Sequence, residues 1–169
     1  RTFGDAIVSH ELNKEAWKQL SREFKWSEEL LTKYCNDIDW EELSANTEML
    51  WTASILEKFK IYINWKVLSS CAPEKLLTLK IIEQFADKWD WYNLSNNYNL
   101  KLSFALLDKF ADKWDWKRII NHWCGEELYT PEFLERYKGF IPADAFHSSN
   151  LWDRLVEKRF NELAEEIVG

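Results

Sequence analysis

The sequence contains little glycine or proline, with four glycines and three prolines among 169 residues. Sandwiches and barrels of β-strands need turn residues about every 8 to 12 positions, so this scarcity argues against both and favours helices. Hydrophobic residues make up 46% of the chain and charged residues 30%, which also excludes disordered and collagen-like chains. The composition therefore predicts an ordered, all-α protein.

Long apolar runs are missing too, since none approaches the roughly 18 residues that a membrane-spanning helix needs. The first residues, from Arg1 to Asp5, do not resemble a signal peptide. The three cysteines, Cys35, Cys71 and Cys124, form no CxxC pair, and any intramolecular pairing would leave one over, as is typical of a reducing compartment. We therefore expect a cytoplasmic (intracellular) protein without a membrane segment. Because the chain does not begin with methionine, we also expect a longer parent protein.

Basic residues are outnumbered by acidic ones, 22 against 29, which gives a formal net charge of -7 and a pI near 5.1. This balance repels the phosphates of nucleic acids and the anionic leaflet of a membrane. We expect a protein or peptide partner, for which a basic surface would suit the charge best, and we expect neither nucleic acid nor membrane.

Tryptophan, by contrast, is abundant, with 11 residues, and it marks an internal repeat. Four copies of the motif W-x-x-L-S and a fifth, degenerate copy follow one another at intervals of 23 to 26 residues. Repeats of such short period are typical of helical arrays in which each unit packs on the next. The copies begin at Trp17, Trp40, Trp65, Trp91 and Trp116.

A capping residue precedes four of these tryptophans, and its side chain can accept a hydrogen bond from the first turn of a helix. An apolar residue stands before each cap and another four positions after it, which is the spacing of a hydrophobic staple. The pattern predicts that the first helix of each repeat begins at the tryptophan and is about two turns long. The caps are Asp39, Asn64, Asp90 and Asp115.

A second capping residue with its own staple follows in every repeat and predicts a second helix of about three turns. In the last repeat, Pro131 occupies the first helical position, where its missing amide does no harm. Apolar residues at the third, fourth and seventh positions after the cap lie on one helix face. These caps are Ser27, Thr52, Thr78, Ser103 and Thr130.

The predicted fold is all-α: a short α-solenoid of about five two-helix repeats of roughly 25 residues, closed by a C-terminal capping helix. We treat residues 1-169 as one repeat domain, with an end segment (1-16), the repeats (17-142) and a cap (143-169). One longer helix is expected from Ser149 or Asn150 to Val168. At the other end, Leu12 and Asn13 could begin the first helix, while Thr2 to Val8 forms either an end helix or a frayed tail.

Two pairs of aspartates, Asp87 with Asp90 and Asp112 with Asp115, recur in the same seven-residue phrase, and paired carboxylates can share catalytic or metal-binding work. The phrase recurs because the repeat recurs, whereas an active site is normally built once. The second aspartate of each pair is also a predicted helix cap. We therefore favour a structural role.

Other chemical motifs are weak or missing. His122 and Cys124 could supply two zinc ligands, but a structural zinc needs four donors at recognisable spacing, and the remaining Cys and His residues lie in other repeats. No G-x-S-x-G elbow, P-loop or dinucleotide glycine pattern occurs. We expect no enzymatic activity, no metal and no cofactor.

Small polar residues at the end of the motif could form a ladder along one edge of the array, and such ladders can bind extended peptides. The alternative, which we favour, is that each side chain satisfies backbone groups in the turn between the two helices of its repeat. The residues concerned are Ser21, Ser44, Ser69, Ser95, Asn46 and Asn97.

The sixth position after each second-helix cap is basic in four of five repeats, and an acid precedes it in four. Adjacent repeats could pair these side chains in exposed ion pairs of small individual value, or a partner could bind them. The second-helix row consists of Lys33, Lys58, Gln84, Lys109 and Arg136. The acidic row beside it consists of Glu57, Glu83, Asp108 and Glu135, with Thr32 in the first repeat.

Tryptophans can also stack on nucleic-acid bases. The net charge opposes this function, and positions in staples and first turns mark most of these residues for packing. The residues assigned to packing are Trp17, Trp40, Trp65, Trp89, Trp91, Trp114 and Trp116.

The W-x-x-L-S units resemble the degenerate, tryptophan-bearing helical repeats of poorly characterised bacterial and large-virus proteins, over about residues 17 to 142. Tetratricopeptide, ankyrin and pumilio repeats are longer, at about 33 to 36 residues. The resemblance implies a helical repeat protein and carries no binding residue with it.

We therefore expect a non-enzymatic protein- or peptide-binding module, such as a scaffold, adaptor or inhibitor, because solenoids offer extended surfaces without special chemistry. One alternative is a recognition or regulatory segment of a larger enzyme. Another is a nucleic-acid-binding repeat protein, which would need the basic residues of the second-helix row to line one groove without their acidic neighbours.

Overall fold

The computed structural model of the chain describes residues 4–169, and every regular element in that range is helical. The all-α prediction is therefore confirmed. The described residues form α1 (Asp5–Glu23), α2 (Glu28–Lys33), α3 (Trp40–Ser44), α4 (Ala53–Lys58), α5 (Trp65–Cys71), α6 (Leu79–Gln84), α7 (Trp91–Ser95), α8 (Phe104–Lys109), α9 (Trp116–Ile119), α10 (Pro131–Tyr137), α11 (Ala143–Phe146) and α12 (Asn150–Val168), with short 3-10 turns at Glu74–Leu76 and Glu126–Leu128.

The chain divides between Lys88 and Trp89 into two compact units. The first unit contains helices α1 to α6. In it α1 contacts α3, and α3 contacts α5. The second unit contains α7 to α12, and in it α7 contacts α9, while α12 contacts the 3-10 turn at Glu126–Leu128. Within each unit, the first helices of neighbouring repeats therefore pack directly against each other.

The first helices begin where the capping pattern predicts. Each cap side chain accepts a hydrogen bond from the backbone N–H three residues later, at N···O distances of 3.0–3.2 Å. Helices α3, α5, α7 and α9 start at the tryptophan that follows the cap. The caps are Asp39, Asn64, Asp90 and Asp115, so the second aspartate of each predicted carboxylate pair is occupied in this way.

The second helices also begin at their predicted caps, with N···O distances of 3.1–3.3 Å. They are shorter than the predicted three turns, because α2, α4, α6, α8 and α10 contain only six or seven residues. In four of them an aromatic residue ends the helix by leaving the helical conformation, as Tyr34 (φ -107°, ψ 18°) and Phe110 (φ -120°, ψ 32°) do. Hydrogen-bonded turns then lead to the next repeat.

Apolar staple residues form the core of both units. Helices this short are marginal alone, so burial between repeats holds them rather than helix propensity. A fully buried leucine or isoleucine contributes about 1.5–3 kcal/mol relative to an exposed one. The side chains with no exposed surface include Leu31, Leu43, Leu56, Leu68, Ile82, Leu94, Leu107 and Ile119.

One aromatic pair joins the two helices of every repeat. The motif tryptophan packs on the aromatic residue at or beside the end of the second helix, with ring centroids 4.8–5.8 Å apart. None of the seven tryptophans assigned to packing is exposed, which confirms that assignment. The pairs are Trp17–Tyr34, Trp40–Phe59, Trp65–Phe85, Trp91–Phe110 and Trp116–Tyr137.

The N-terminal helix differs from one prediction. Because α1 runs unbroken from Asp5 to Glu23, the alternative in which Leu12 and Asn13 begin the first helix is wrong. Helix-forming residues without glycine or proline surround Asn13, so nothing ends a helix there. The end-helix alternative holds from Asp5 onwards, and Thr2 lies outside the described residues.

The predicted C-terminal helix is confirmed as α12, whose cap, Ser149, accepts a hydrogen bond from the backbone N–H of Trp152 at 3.1 Å. Leu151 is fully buried, and its N–H donates to the carbonyl of Ile120 at 3.1 Å. The start of α12 thus covers the last repeat, whereas its large apolar residues from Val156 onwards are exposed.

Candidate functional site

All nine residues of the second-helix row and the acidic row are exposed, at the ends of the second helices. A cation at the last turn of a helix also suits the negative end of the helix dipole, so local helix stability is one cause of the row. The members are Lys33, Lys58, Gln84, Lys109 and Arg136, with the acids Glu57, Glu83, Asp108 and Glu135.

In the first unit, the second-helix row is ordered by a contact between neighbouring repeats. The Nζ of Lys58 lies 3.9 Å from Oε1 of Glu28, which also accepts a hydrogen bond from the Ser54 hydroxyl at 3.2 Å. The ammonium groups of Lys33 and Lys58 lie over the rings of their neighbours Tyr34 and Phe59, at 5.4 and 5.7 Å from the centroids. The lysines therefore rest on aromatic rings with their charges at the surface.

In the second unit, Arg136 is held more tightly. Its guanidinium donates to Asp108 at 2.8 Å and to Glu132 at 3.3 Å, and its central carbon lies 4.4 Å from the centroid of the Phe104 ring. The hydroxyl of Tyr137 donates to the other oxygen of Asp108 at 2.8 Å. Burial, together with this hydrogen bond, raises the pKa of Tyr137. The five side chains form the Arg136 cluster, a preorganised patch that spans two repeats.

The two rows pair with each other less regularly than the sequence predicts. Arg136 does pair with Asp108 of the preceding repeat. Glu57 and Glu135, however, pair with Lys60 and Lys138 three residues later, at 2.8 and 2.9 Å. Each of these glutamates lies closer to the lysine three residues later than to a cation of the next repeat. Glu57 also raises the pKa of Lys60, through a hydrogen bond and through its charge.

The serines that close the motif bond to backbone groups, as predicted, but these groups are not in the turn between the two helices of the repeat. The hydroxyls of Ser21, Ser44 and Ser95 each donate to the carbonyl four residues earlier at 2.6 Å. Each also accepts from the backbone N–H of the next repeat's helix cap at 2.9–3.0 Å. All three are buried, so they hold successive repeats together and offer nothing to a peptide.

The sixth position after the motif tryptophan provides a second set of bonds between repeats. Asn46 is 3% exposed, and its amide donates to the carbonyls of Ser21 and Phe24 while its oxygen accepts from the N–H groups of Glu48 and Met49. These four bonds use all the hydrogen-bonding capacity of the Asn46 amide group. The same position holds Cys71, Asn97 and His122 in later repeats, an equivalence that the differing residue types hide in the sequence.

His122 is therefore a counterpart of the buried asparagines. Its Nδ1 accepts from the N–H of Cys124 at 3.0 Å, so the proton sits on Nε2, which donates to the carbonyl of Asn97 at 2.8 Å. Burial lowers the pKa of His122. Both ring nitrogens are engaged by backbone groups, and the Cys124 thiol lies 3.4 Å from the carbonyl of Tyr98. Both side chains that the sequence analysis considered as zinc ligands thus contact backbone groups.

Sequence reasoning missed one surface cavity. It has a volume of about 370 Å³ and lies between the 3-10 turn at Glu126–Leu128 and the start of α12. Trp123, which is 81% exposed, forms one wall, and Arg154, whose guanidinium lies 3.3 Å from a carboxylate oxygen of Glu126, forms another. Trp123 falls outside the motif, and its neighbours come from distant segments, so no spacing in the sequence marks the cavity.

Within residues 4–169, no three His, Cys, Asp or Glu side chains gather where they could hold one metal ion. Nor does any described helix have the length and apolarity needed to cross a membrane. All three cysteines are free thiols.

Comparison with known proteins gives one partial likeness. No family model and no solved structure matches the chain. Over 83 residues the chain is 33% identical to an uncharacterized 54.7 kDa protein in the IAP1-SOD intergenic region of Autographa californica nuclear polyhedrosis virus. The matched stretch covers 49% of this chain but only 17% of the viral protein. The likeness therefore assigns neither a family nor a function.

Proposed function

We propose that the chain is a non-enzymatic protein- or peptide-binding repeat module that presents the ends of its second helices to a partner. The observation that carries this proposal is a contrast between two sets of polar side chains. The buried set, which includes Ser21, Ser44, Asn46 and His122, is occupied by bonds to the backbone. The exposed set recurs at the same place in repeat after repeat, where a partner can reach it.

The Arg136 cluster is the best-ordered part of this surface. Arginine stacked on an aromatic ring and bonded to carboxylates loses little side-chain freedom on binding, and arginine is enriched among the residues that dominate interfaces. A carboxylate of a partner could take the place of Glu132 beside Arg136, because the contact of Arg136 with Glu132 is longer than its contact with Asp108. The net charge of -7 makes a partner with a basic surface overall the best match, because complementary charge speeds association.

We also propose that the five repeats form one continuous solenoid, which would extend this surface. Support comes from the same caps and the same tryptophan–aromatic pair in the repeats of both units. Hydrogen exchange tests the idea with Leu94→Asp, which places a charge in the core of the second unit. Loss of protection that crosses Trp89 into α5 would support a continuous stack, whereas loss that stops at Trp89 would count against it.

Two alternatives are weaker. The recognition segment of a larger enzyme is favoured only by the viral match, in which the similar stretch is 17% of a longer protein. Nucleic-acid binding is opposed by the net charge and by the partners of the cations, since Lys58 lies beside Glu28 and Arg136 beside Asp108. Binding of single-stranded RNA or DNA in a gel shift that weakens steeply with salt would overturn this ranking.

Affinity capture from the native cell with quantitative mass spectrometry tests the proposal. The bait is the wild-type chain or the double variant Lys58→Glu, Lys109→Glu, which reverses two charges of the second-helix row. The matched control is Lys14→Glu, Lys101→Glu, which also reverses two lysine charges, but at exposed positions outside the row.

We expect specific partners to be lost with the row variant and kept with the control, and then to bind the purified wild-type chain directly. If the row variant keeps every partner, the second-helix row is not the interface. Turnover of any substrate by the purified chain would contradict the non-enzymatic part of the proposal.

A further inference from the structure

From Val156 onwards, α12 carries an apolar stripe that nothing in the described chain covers. Val156, Phe160, Leu163 and Ile167 are separated by four, three and four residues, which places them on one face of the helix. Their exposures are 48%, 68%, 41% and 83%. This spacing is that of a coiled-coil seam, in which each side chain inserts between residues of a partner helix. We call these four residues the α12 seam.

The charges beside the α12 seam indicate what would cover it. The middle of α12 carries Arg159, and its end carries Glu162, Glu165 and Glu166. Two copies of α12 in parallel would bring the two acidic ends together, which is unfavourable. In antiparallel copies, the basic middle of each helix lies near the acidic end of the other.

The antiparallel register is fixed by the seam. Phe160 of one copy packs beside Leu163 of the second copy, and Val156 packs beside its Ile167. The positions that flank the seam then place Arg159 opposite Glu166 of the second copy, and by symmetry this pair forms twice. In the single chain, Arg159 makes an exposed contact with Glu162 at 3.1 Å, and giving up such a pair costs little.

We propose that the chain forms a homodimer through antiparallel pairing of the α12 seams of two copies. The paired stretch is about 17 Å long at 1.5 Å per residue. It is short, and the dimer is accordingly of modest affinity. The α12 seam shares no residue with the second-helix row, which lies on other helices, so the dimer is compatible with the proposed binding function and does not depend on it.

Sedimentation equilibrium on the full chain, over about two decades of concentration, tests the dimer. We expect the mass to rise from 20.4 kDa towards twice that value. Phe160→Glu should weaken dimerisation by at least about a hundredfold, because both copies lose an apolar contact. Asn161→Glu adds the same charge at an exposed position beside the seam and should leave the dimer largely intact. Far-UV circular dichroism checks that each variant keeps its helicity.

Charge exchange tests the antiparallel direction. Arg159→Glu and Glu166→Arg should each weaken self-association, because each variant places like charges opposite each other. An equimolar mixture of the two should dimerise again, because both flanking pairs then have opposite charges. A monomer at all concentrations, a dimer that Phe160→Glu leaves intact, or a mixture that stays monomeric would overturn the proposal.

Discussion

The hydroxyl of Ser21 accepts a hydrogen bond from the backbone N–H of Asp39 at 2.9 Å while it donates to the carbonyl of Trp17 at 2.6 Å. Ser21 belongs to one repeat, and Asp39 is the helix cap of the next. The same arrangement joins Ser44 to Asn64. In these repeats, the serine that closes the motif thus fixes the point at which the following first helix begins.

Ser44→Ala should lower the free energy of unfolding by about 1–3 kcal/mol, because the N–H of Asn64 loses its buried acceptor. Urea unfolding measures this change. Ser70→Ala is the control, since the Ser70 hydroxyl is exposed and bonds only within its own helix. We expect the control to cost less than about 0.5 kcal/mol. Equal losses in the two variants would mean that the serine bond between repeats is not stabilising.

The helix starts could be predicted from the sequence because capping and stapling are local. Asp39 and Thr52 satisfy the first turn of their own helices, and the apolar residues around them are a few positions away. The role of Ser21 could not be predicted in the same way. Its partner is 18 residues distant and is a backbone group, which any residue type would supply.

A buried histidine should make stability depend on pH. Burial lowers the pKa of His122 in the folded chain, so the unfolded chain takes up the proton more readily as the pH falls below about 6.5. The contribution of His122 to the free energy of unfolding should therefore be complete above this pH and should be lost as the pH falls below it. Urea unfolding over a series of pH values measures the slope.

His122→Asn should remove most of that slope, because asparagine occupies the equivalent position at Asn46 and Asn97 and carries no charge at any pH. His147→Asn is the control, since His147 is exposed. If His147→Asn flattens the slope and His122→Asn does not, the buried imidazole is not its source.

Equivalent positions with different residues also explain why one set of bonds between repeats could not be predicted from the sequence. Asn46, Cys71 and His122 share one place in the repeat, and each bonds to a carbonyl of the preceding repeat. Their chemistry differs so much that His122 suggests a zinc ligand when it is considered alone. Counting six residues from each motif tryptophan would have revealed the shared role.

Leu56→Asp should unfold more than its own helix. Leu56 is fully buried in α4, and an unpaired charge there should cost more than about 4 kcal/mol. Because helices of five to seven residues depend on their neighbours, amide hydrogen exchange should show lost protection in α3 and α5 as well as in α4. Lys66→Asp, which puts the same charge at an exposed position in the first turn of α5, should leave protection unchanged. Loss confined to α4 would contradict mutual support between repeats.

Lysine acetylation footprinting on the chain, alone and with a captured partner, tests the binding surface most directly. The lysines of the second-helix row, Lys33, Lys58 and Lys109, are compared with the exposed lysines Lys14, Lys66 and Lys101 outside it. The proposed function predicts that the partner slows acetylation of the first three and leaves the other three unchanged. Unchanged rates in the row, with slower acetylation elsewhere, would show that the partner binds another face.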